Sequence, residues 1–280
     1  MLTLTTRVLR KSARAARPLV EPLLARRARA AGLAPAVTQR QFLEQLDGLD
    51  ALEIGPFDRP MLNGPSVRYF DVLDTDGLVD RARRIGRNCG QVPAITYVSP
   101  VGDLAVVDRT FDAIFSSHAI EHQPDLVAHL QGVSRLLNAG GAYYVIVPDK
   151  RFCFDHYLPE TTIDDLLLAH RTKRRVHTRK AVLAHTLETT HNDAMLHWIG
   201  IHGKPEVDAE RRANGEAEAA QADAGIYVDV HAWFFSPGQF QRLMGELARE
   251  GLIDLQVERV HATAYGSLEF SAVLRKPGLR

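Results

Sequence analysis

The sequence predicts an α/β fold: a doubly wound, mostly parallel sheet of seven strands with an antiparallel edge strand and a helical insertion. Three observations carry this expectation. Short apolar runs alternate with amphipathic segments between residues 39 and 150. Several of those runs stop at glycine, aspartate or serine, as strands do where a parallel sheet opens onto a ligand. The last two runs, 254–260 and 269–274, are joined by a short loop, as an antiparallel pair would be.

Each element has its own signal. Residues 39–48 (QRQFLEQLDG) read as a helix stopped by Gly48. Residues 50–55 (DALEIG) form a first strand and 66–72 (SVRYFDV) a second. A basic helix follows over 76–87, then a short third strand over 94–98 and a fourth over 111–115 (FDAIF). Residues 124–138 open with Pro-Asp, carry apolar residues three and four apart and end before Gly140-Gly141, which are helix start and stop signals. Residues 142–147 (AYYVIV) are a fifth strand closed by Pro148. The rhythm then breaks. Residues 151–230 are helical in tendency and rich in histidine, and 205–225 has almost no large apolar residue, which predicts a mobile loop or a solvated helix. Regular structure is expected again over 227–235. A capped helix runs from Ser236 to Gly251 with Phe240, Leu243, Met244 and Leu247 on one face, and the last two strands follow. The domain reading is a basic arm (1–38), a core (39–150), an insertion that binds the acceptor (151–230) and a carboxyl-terminal helix and strands that complete the sheet (231–280).

Composition limits the function classes. Apolar residues make up 45% of 280 and charged residues 24%, with a net charge of zero. That balance argues against a protein that grips nucleic acid by general attraction. Cys89 and Cys153 have neither metal-site nor disulfide spacing and are expected to be reduced thiols in a cytoplasmic protein. No stretch approaches the roughly 18–20 apolar residues that span a bilayer. The first thirty residues carry Arg7, Arg10, Lys11, Arg14, Arg17, Arg26, Arg27 and Arg29 against Glu21 alone. This arm reads as a cap on the body, as a transit segment, or as a peripheral contact with an anionic membrane at its inner face. Pro18 and Pro22 should interrupt a long helix there.

The strand ends hold the chemistry. Gly55 offers backbone without a side chain, so a ligand can approach closely, and Glu53 beside it can orient a cationic or hydroxyl-bearing group. Asp71 can accept two hydrogen bonds from a ribose diol. Asp103 and Leu104 pair a carboxylate with an apolar wall, which suits an adenine. Ordinary strand-end turns and caps are the plainer readings of the same residues.

The order ALEIGP, YFDV, GDL, TFDAIFSSHAIEH and LLNAGGAYYVIVPD resembles the class I S-adenosylmethionine-dependent methyltransferases, in particular the type 11 group. The resemblance covers about residues 51–160 and implies a Rossmann-like core with S-adenosylmethionine as cofactor. It implies that Glu53, Gly55 and Pro56 line the methionine end, that Asp71 holds the ribose, and that Asp103 and Leu104 meet the adenine. Ser116, Ser117 and His118 would border the methionine. The family's glycine-rich loop is reduced here to Gly55 followed by Pro56, Phe57 and Asp58. A GxGxxG loop, which a nicotinamide-dependent dehydrogenase would need, is absent from that turn.

Methyl transfer to oxygen needs a base, and His118, Asp149, His156 and His231 are the candidates. The acceptor is expected to be a small molecule or a sugar or glycan hydroxyl. A catalytically inactive scaffold is the non-enzymatic alternative. His118-Ala-Ile-Glu-His122 also fits HxxEH, a zinc-hydrolase pattern, but it straddles a strand end and Pro124 follows closely. No metal site is assigned from the sequence. The scattered histidines after residue 151 read as a polar acceptor pocket and surface residues.

Overall fold

The computed structural model describes residues 4–278, so the first three and last two residues of the outer domain assignments lie outside the described residues. Helices α1 (Leu4–Ala15) and α2 (Arg17–Ala30) form the basic arm. The break at Ala16 comes just ahead of Pro18, but Pro22 sits inside α2. Pro22 does not end the helix, contrary to the expectation: at the sixth residue of α2 it forgoes one bond to the carbonyl of Pro18, and the helix continues past it to Ala30. Helix α3 (Gln39–Leu43) starts at a capping box between Thr38 and Gln41 and tightens into a 3-10 turn before Gly48.

The core alternates as expected: β1 (Ala51–Ile54), β2 (Val67–Asp71), α4 (Thr75–Arg84), β3 (Tyr97–Val98), β4 (Phe111–Ser117), α5 (Leu126–Leu136) and β5 (Leu137–Pro148). The insertion holds α6 (Ile163–Arg171), α7 (Arg179–Leu187), α8 (Ala194–Trp198) and α9 (Ala209–Asp223). Helix α10 (Pro237–Arg249) and strands β6 (Gln256–Val260) and β7 (Glu269–Arg275) complete the chain. The seven strands lie in the order β3-β2-β1-β4-β5-β7-β6. β1 to β5 are parallel, while β7 runs antiparallel to both neighbours, and the β6–β7 pair forms the antiparallel edge.

Strand alternation feeds two cores. Ala113, Phe115, Tyr144 and Ile146 face Phe42 and Leu46 of the α3 segment. Ile114, Tyr143, Val145 and Val147 face the other way, toward α5 and α10. On α10, Phe240, Leu243, Met244 and Leu247 are buried, as their spacing predicts. Each such side chain contributes about 1.5–3 kcal/mol by leaving water.

Two segments differ from the sequence reading. Of the two alternatives for residues 205–225 the helix forms, as α9, but it packs on α7 instead of standing free in solvent. Small residues do the packing: Gly215, Ala219 and Ala222 are buried, and a Cβ at Gly215 would lie 3.1 Å from Thr186. The lack of large apolar side chains therefore permits close approach. Residues 227–235 form no strand; only a single bridge joins Asp149 to Phe235. The arm packs on the body through Arg10–Asp193, buried Ala13 and the Tyr265 hydroxyl on the Ala13 carbonyl.

Candidate functional site

The strand order reverses between β1 and β4, and the carboxyl ends of these neighbours form the crevice where such sheets bind ligands. Gly55 leaves β1 at φ +72°, a conformation that costs any side-chain-bearing residue. A Cβ added there would meet only Ala119, at 3.8 Å, so the first and fourth strand ends nearly touch. Pro56 is buried and its carbonyl accepts from Arg59, closing a turn. Phe57 also adopts a positive φ of 45°. The loop thus keeps a glycine-like backbone without a second glycine, held by guanidinium groups of Arg81 and Arg87 over the Phe57 ring and by the Asp58–Arg87 ion pair.

Glu53 and Asp71 shape this loop from below. The buried Glu53 carboxylate accepts from the Met61 and Leu62 N–H groups at 2.9–3.1 Å. Burial pushes its pKa up to about 7, against the lowering effect of those two donors. Glu53 therefore anchors the loop, a job its place in the strand did not reveal. Asp71 accepts from Val72 at 2.7 Å and from Phe57 at 3.4 Å. Burial also raises its pKa, partly offset by these donors and by Arg81. A carboxylate offers about four lone-pair positions, so Asp71 keeps acceptors for a diol.

The Ser99 N–H donates to the Asp71 carbonyl, and the Ser99 hydroxyl accepts from the Asp103 N–H. The Asp103 side chain caps the following 3-10 turn through Ala105 and is exposed. Leu104 is buried under Gly132 of α5, so it reaches a ligand only as part of the wall behind Asp103. Ser116 points into the core, 2.6 Å from the Tyr143 hydroxyl, which is 3.2 Å from His129. Ser117, half-buried, ends β4.

His118 follows at φ +50°, with Nε2 2.8 Å from Glu269 and Nδ1 3.6 Å from Glu121. Burial alone would lower its pKa, but the Glu269 hydrogen bond and the two carboxylate charges hold it above the usual value. The other base candidates separate. Asp149 is fully buried, bound through both oxygens to Arg151 and by the Thr263 hydroxyl, so its oxygens are taken up by structural partners. His156 lies in a separate cluster, stacked 3.6 Å from His202, with Nδ1 on the Arg151 carbonyl. His231 does reach the rim. The Ala232 N–H binds the Glu121 carbonyl, which sets His231 Nε2 3.8 Å from Glu121 while Nδ1 binds Asp155 at 2.7 Å.

The HxxEH helix does not form. Ile120–His122 is a 3-10 turn, so His118 and His122 do not share a helical face. Instead Glu121 lies among His118, His122 and His231. Asp155, Asp229 and Glu269 were missed from the sequence, and Glu121 was read there only as part of the HxxEH pattern. The local signals were the HxxEH pattern for Glu121 and the acids close to histidines in Phe154-Asp155-His156 and Asp229-Val230-His231.

A cavity of about 740 Å³ lies away from this rim, between α1 and the insertion. Arg10, Arg14, Arg17, His191, Asp193 and Tyr265 line it. A second cavity of about 280 Å³ shares Arg17, Tyr265 and Gly266 with it and extends to Ile146 and Glu269, the partner of His118.

Residues 64–145 match a family described as a methyltransferase domain. No curated protein matches the chain. Among solved structures, it is similar to the CcbJ methyltransferase from Streptomyces caelestis, at 11% identity over 85% of this chain and 88% of that one, with a TM-score of 0.42. It is also similar to magnesium protoporphyrin IX methyltransferase from Synechocystis PCC 6803 with bound SAH, at 11% identity, 99% and 89% coverage, and a TM-score of 0.36. A third similarity is to the CurJ carbon methyltransferase, at 14% identity and a TM-score of 0.39, where 84% of this chain covers 51% of that one, about half its length. At such identities and scores, the assignment rests on the family match and on the chain's own strand ends. Bare backbone at Gly55 and the acceptors left on Asp71 fit an adenosine carrying an amino-acid tail. The match over residues 64–145 is to a methyltransferase domain, a family whose methyl donor is S-adenosylmethionine.

Proposed function

We propose that this methyltransferase acts on oxygen, on a hydroxyl of a sugar, glycan or other small molecule. The observation that carries the reading is His118, held in a left-handed backbone conformation at the end of β4, one residue from the Ala119 that borders Gly55. Bound S-adenosylmethionine supplies a methyl group already activated by its sulfonium. The protein must then position the acceptor and take its proton. With Nε2–H donated to Glu269, the Nδ1 lone pair of His118 is free to take that proton as the acceptor oxygen gains the methyl group. Asp71, Asp103 and the loop anchored by Glu53 hold the cofactor, and His231 is the second candidate for the base. The arginine-lined cavity suits an acceptor that also carries an anionic group, its hydroxyl end directed toward Glu269.

The first test is calorimetry with S-adenosylmethionine and its demethylated product. The second is product formation with free sugars, sugar phosphates and nucleotide sugars. We expect binding, and turnover that drops about 10²–10⁴-fold in His118→Ala. No cofactor binding would favour the scaffold alternative, and full turnover in His118→Ala would remove His118 as base.

The arm supports peripheral attachment to an anionic membrane. Leu19 and Leu23 are 77% and 63% exposed on α2 among arginines. Among the described residues no helix is long and apolar enough to cross a membrane. Cosedimentation with phosphatidylglycerol vesicles, but not with phosphatidylcholine vesicles, is the expected result.

A further inference from the structure

We propose that Glu121, His122 and His231 bind a divalent transition-metal ion, zinc or a first-row neighbour, beside the methyl-transfer rim. The argument starts from Glu121. Its carboxylate is 1% exposed, and neither oxygen has a hydrogen-bond partner. A buried carboxylate without a donor is costly, and here the surrounding groups are set for a cation. His231 Nε2 lies 3.8 Å and His122 Nε2 4.0 Å from Oε1 of Glu121, and one ligand atom from each of the three residues lies within 4.8 Å of the others. These distances are too long for hydrogen bonds and close to what a shared ion needs. A tetrahedral zinc site with bonds near 2.0–2.1 Å puts its ligands roughly 3.3 Å apart, so side-chain shifts of about half an ångström would close it.

The outer groups are arranged as metal-binding histidines require. His231 Nδ1 is 2.7 Å from Asp155, and His122 Nδ1 is 2.9 Å from Asp229. Asp229 is itself held by Arg81 at 2.7 Å. Asp155 fixes the His231 imidazole by a hydrogen bond so that its lone pair sits on Nε2, the atom turned toward Glu121, whereas Asp229 faces His122 Nδ1 as a charge without hydrogen-bond geometry. Two imidazoles and one carboxylate suit zinc, iron, cobalt or nickel and leave positions open. His118 Nδ1, 3.6 Å from the same Glu121 oxygen, is the next group around the site. If methyl transfer to oxygen is the reaction, an acceptor hydroxyl reaching His118 could occupy an open position on the ion and lose its proton more readily. That consequence rests on the proposed function; the site itself does not. The His156–His197–His202 group is a weaker candidate. The rings of His156 and His202 stack 3.6 Å apart and nearly parallel, so their lone pairs run side by side, and no carboxylate joins them.

The test is titration of the chelator-stripped full chain with Co2+, read by visible absorption, followed by displacement with Zn2+. One equivalent should bind with the intense bands of a four- or five-coordinate ion. Glu121→Gln and His122→Gln should each weaken binding about 100-fold or more, and Asp155→Asn about 10–100-fold by freeing the His231 ring. Thermal melting identifies any variant that fails to fold, and the half-exposed His122 provides a substitution outside the tightest packing. Absence of stoichiometric binding would overturn the proposal and mean that a protonated histidine neutralises Glu121. Binding that survives in Glu121→Gln and disappears in His156→Ala would overturn it too. Calorimetry with S-adenosylmethionine on the same samples reports on the methyl-transfer reading separately.

Discussion

Replacing Glu53 by glutamine should flatten the pH dependence of stability between about pH 5 and pH 8. Burial raises the Glu53 pKa from 4.5 to about 7 in the folded chain. The folded state therefore holds its proton where the unfolded chain has lost it. A raised carboxyl pKa contributes stability that is fully present below the unfolded value and lost as pH climbs through the folded one. The full difference is about 3 kcal/mol at 1.36 kcal/mol per pKa unit, of which about 2.5 kcal/mol falls between pH 5 and pH 8. Glutamine cannot ionise, but its carbonyl can still accept from the Met61 and Leu62 N–H groups, so the loop keeps its anchor. Urea unfolding of both proteins across this range should show wild type losing about 2.5 kcal/mol more than Glu53→Gln toward high pH, the other titrating groups cancelling in the difference. Parallel curves would mean that Glu53 stays ionised in the folded chain and that the two backbone donors outweigh its burial.

Gly55→Ala should cost about 1–2 kcal/mol, because φ at this position is +72°. A melting scan should show a drop of about 2–8 °C, together with weaker binding of S-adenosylmethionine in calorimetry. Asp71→Ala should weaken that binding about 10–100-fold, through the loss of charged acceptors for the ribose, and affinity within twofold of wild type would exclude this role. Ala219→Leu should destabilise the insertion by about 1–3 kcal/mol, since Ala219 is completely buried in the α9 contact with α7. Unchanged melting would show that the helices can part without cost.

Much of the fold was readable because its signals are local. Apolar runs bounded by glycine and proline mark β1, β4 and β5, and the spacing of Phe240, Leu243, Met244 and Leu247 marks α10. Helix α9 was harder to read. Its buried face consists of Gly215, Ala219 and Ala222, which hydrophobic patterning cannot distinguish from a solvated surface. Residues 227–235 were expected to be regular, but they form neither helix nor strand and the sheet offers them only one bridge.

The sequence by itself determined the element order and the strand-end residues, because chain periodicity and turn chemistry are properties of neighbours in sequence. It placed Gly55, Asp71 and His118 where a parallel sheet presents its ligands. Only the tertiary structure decided what their side chains do. It gave Glu53 to the loop, buried Asp149 against Arg151 and Thr263, and brought His231 from more than a hundred residues away to face Glu121. Such pairings depend on long-range packing and on which polar groups lose their water, and neither is written in any local stretch of sequence.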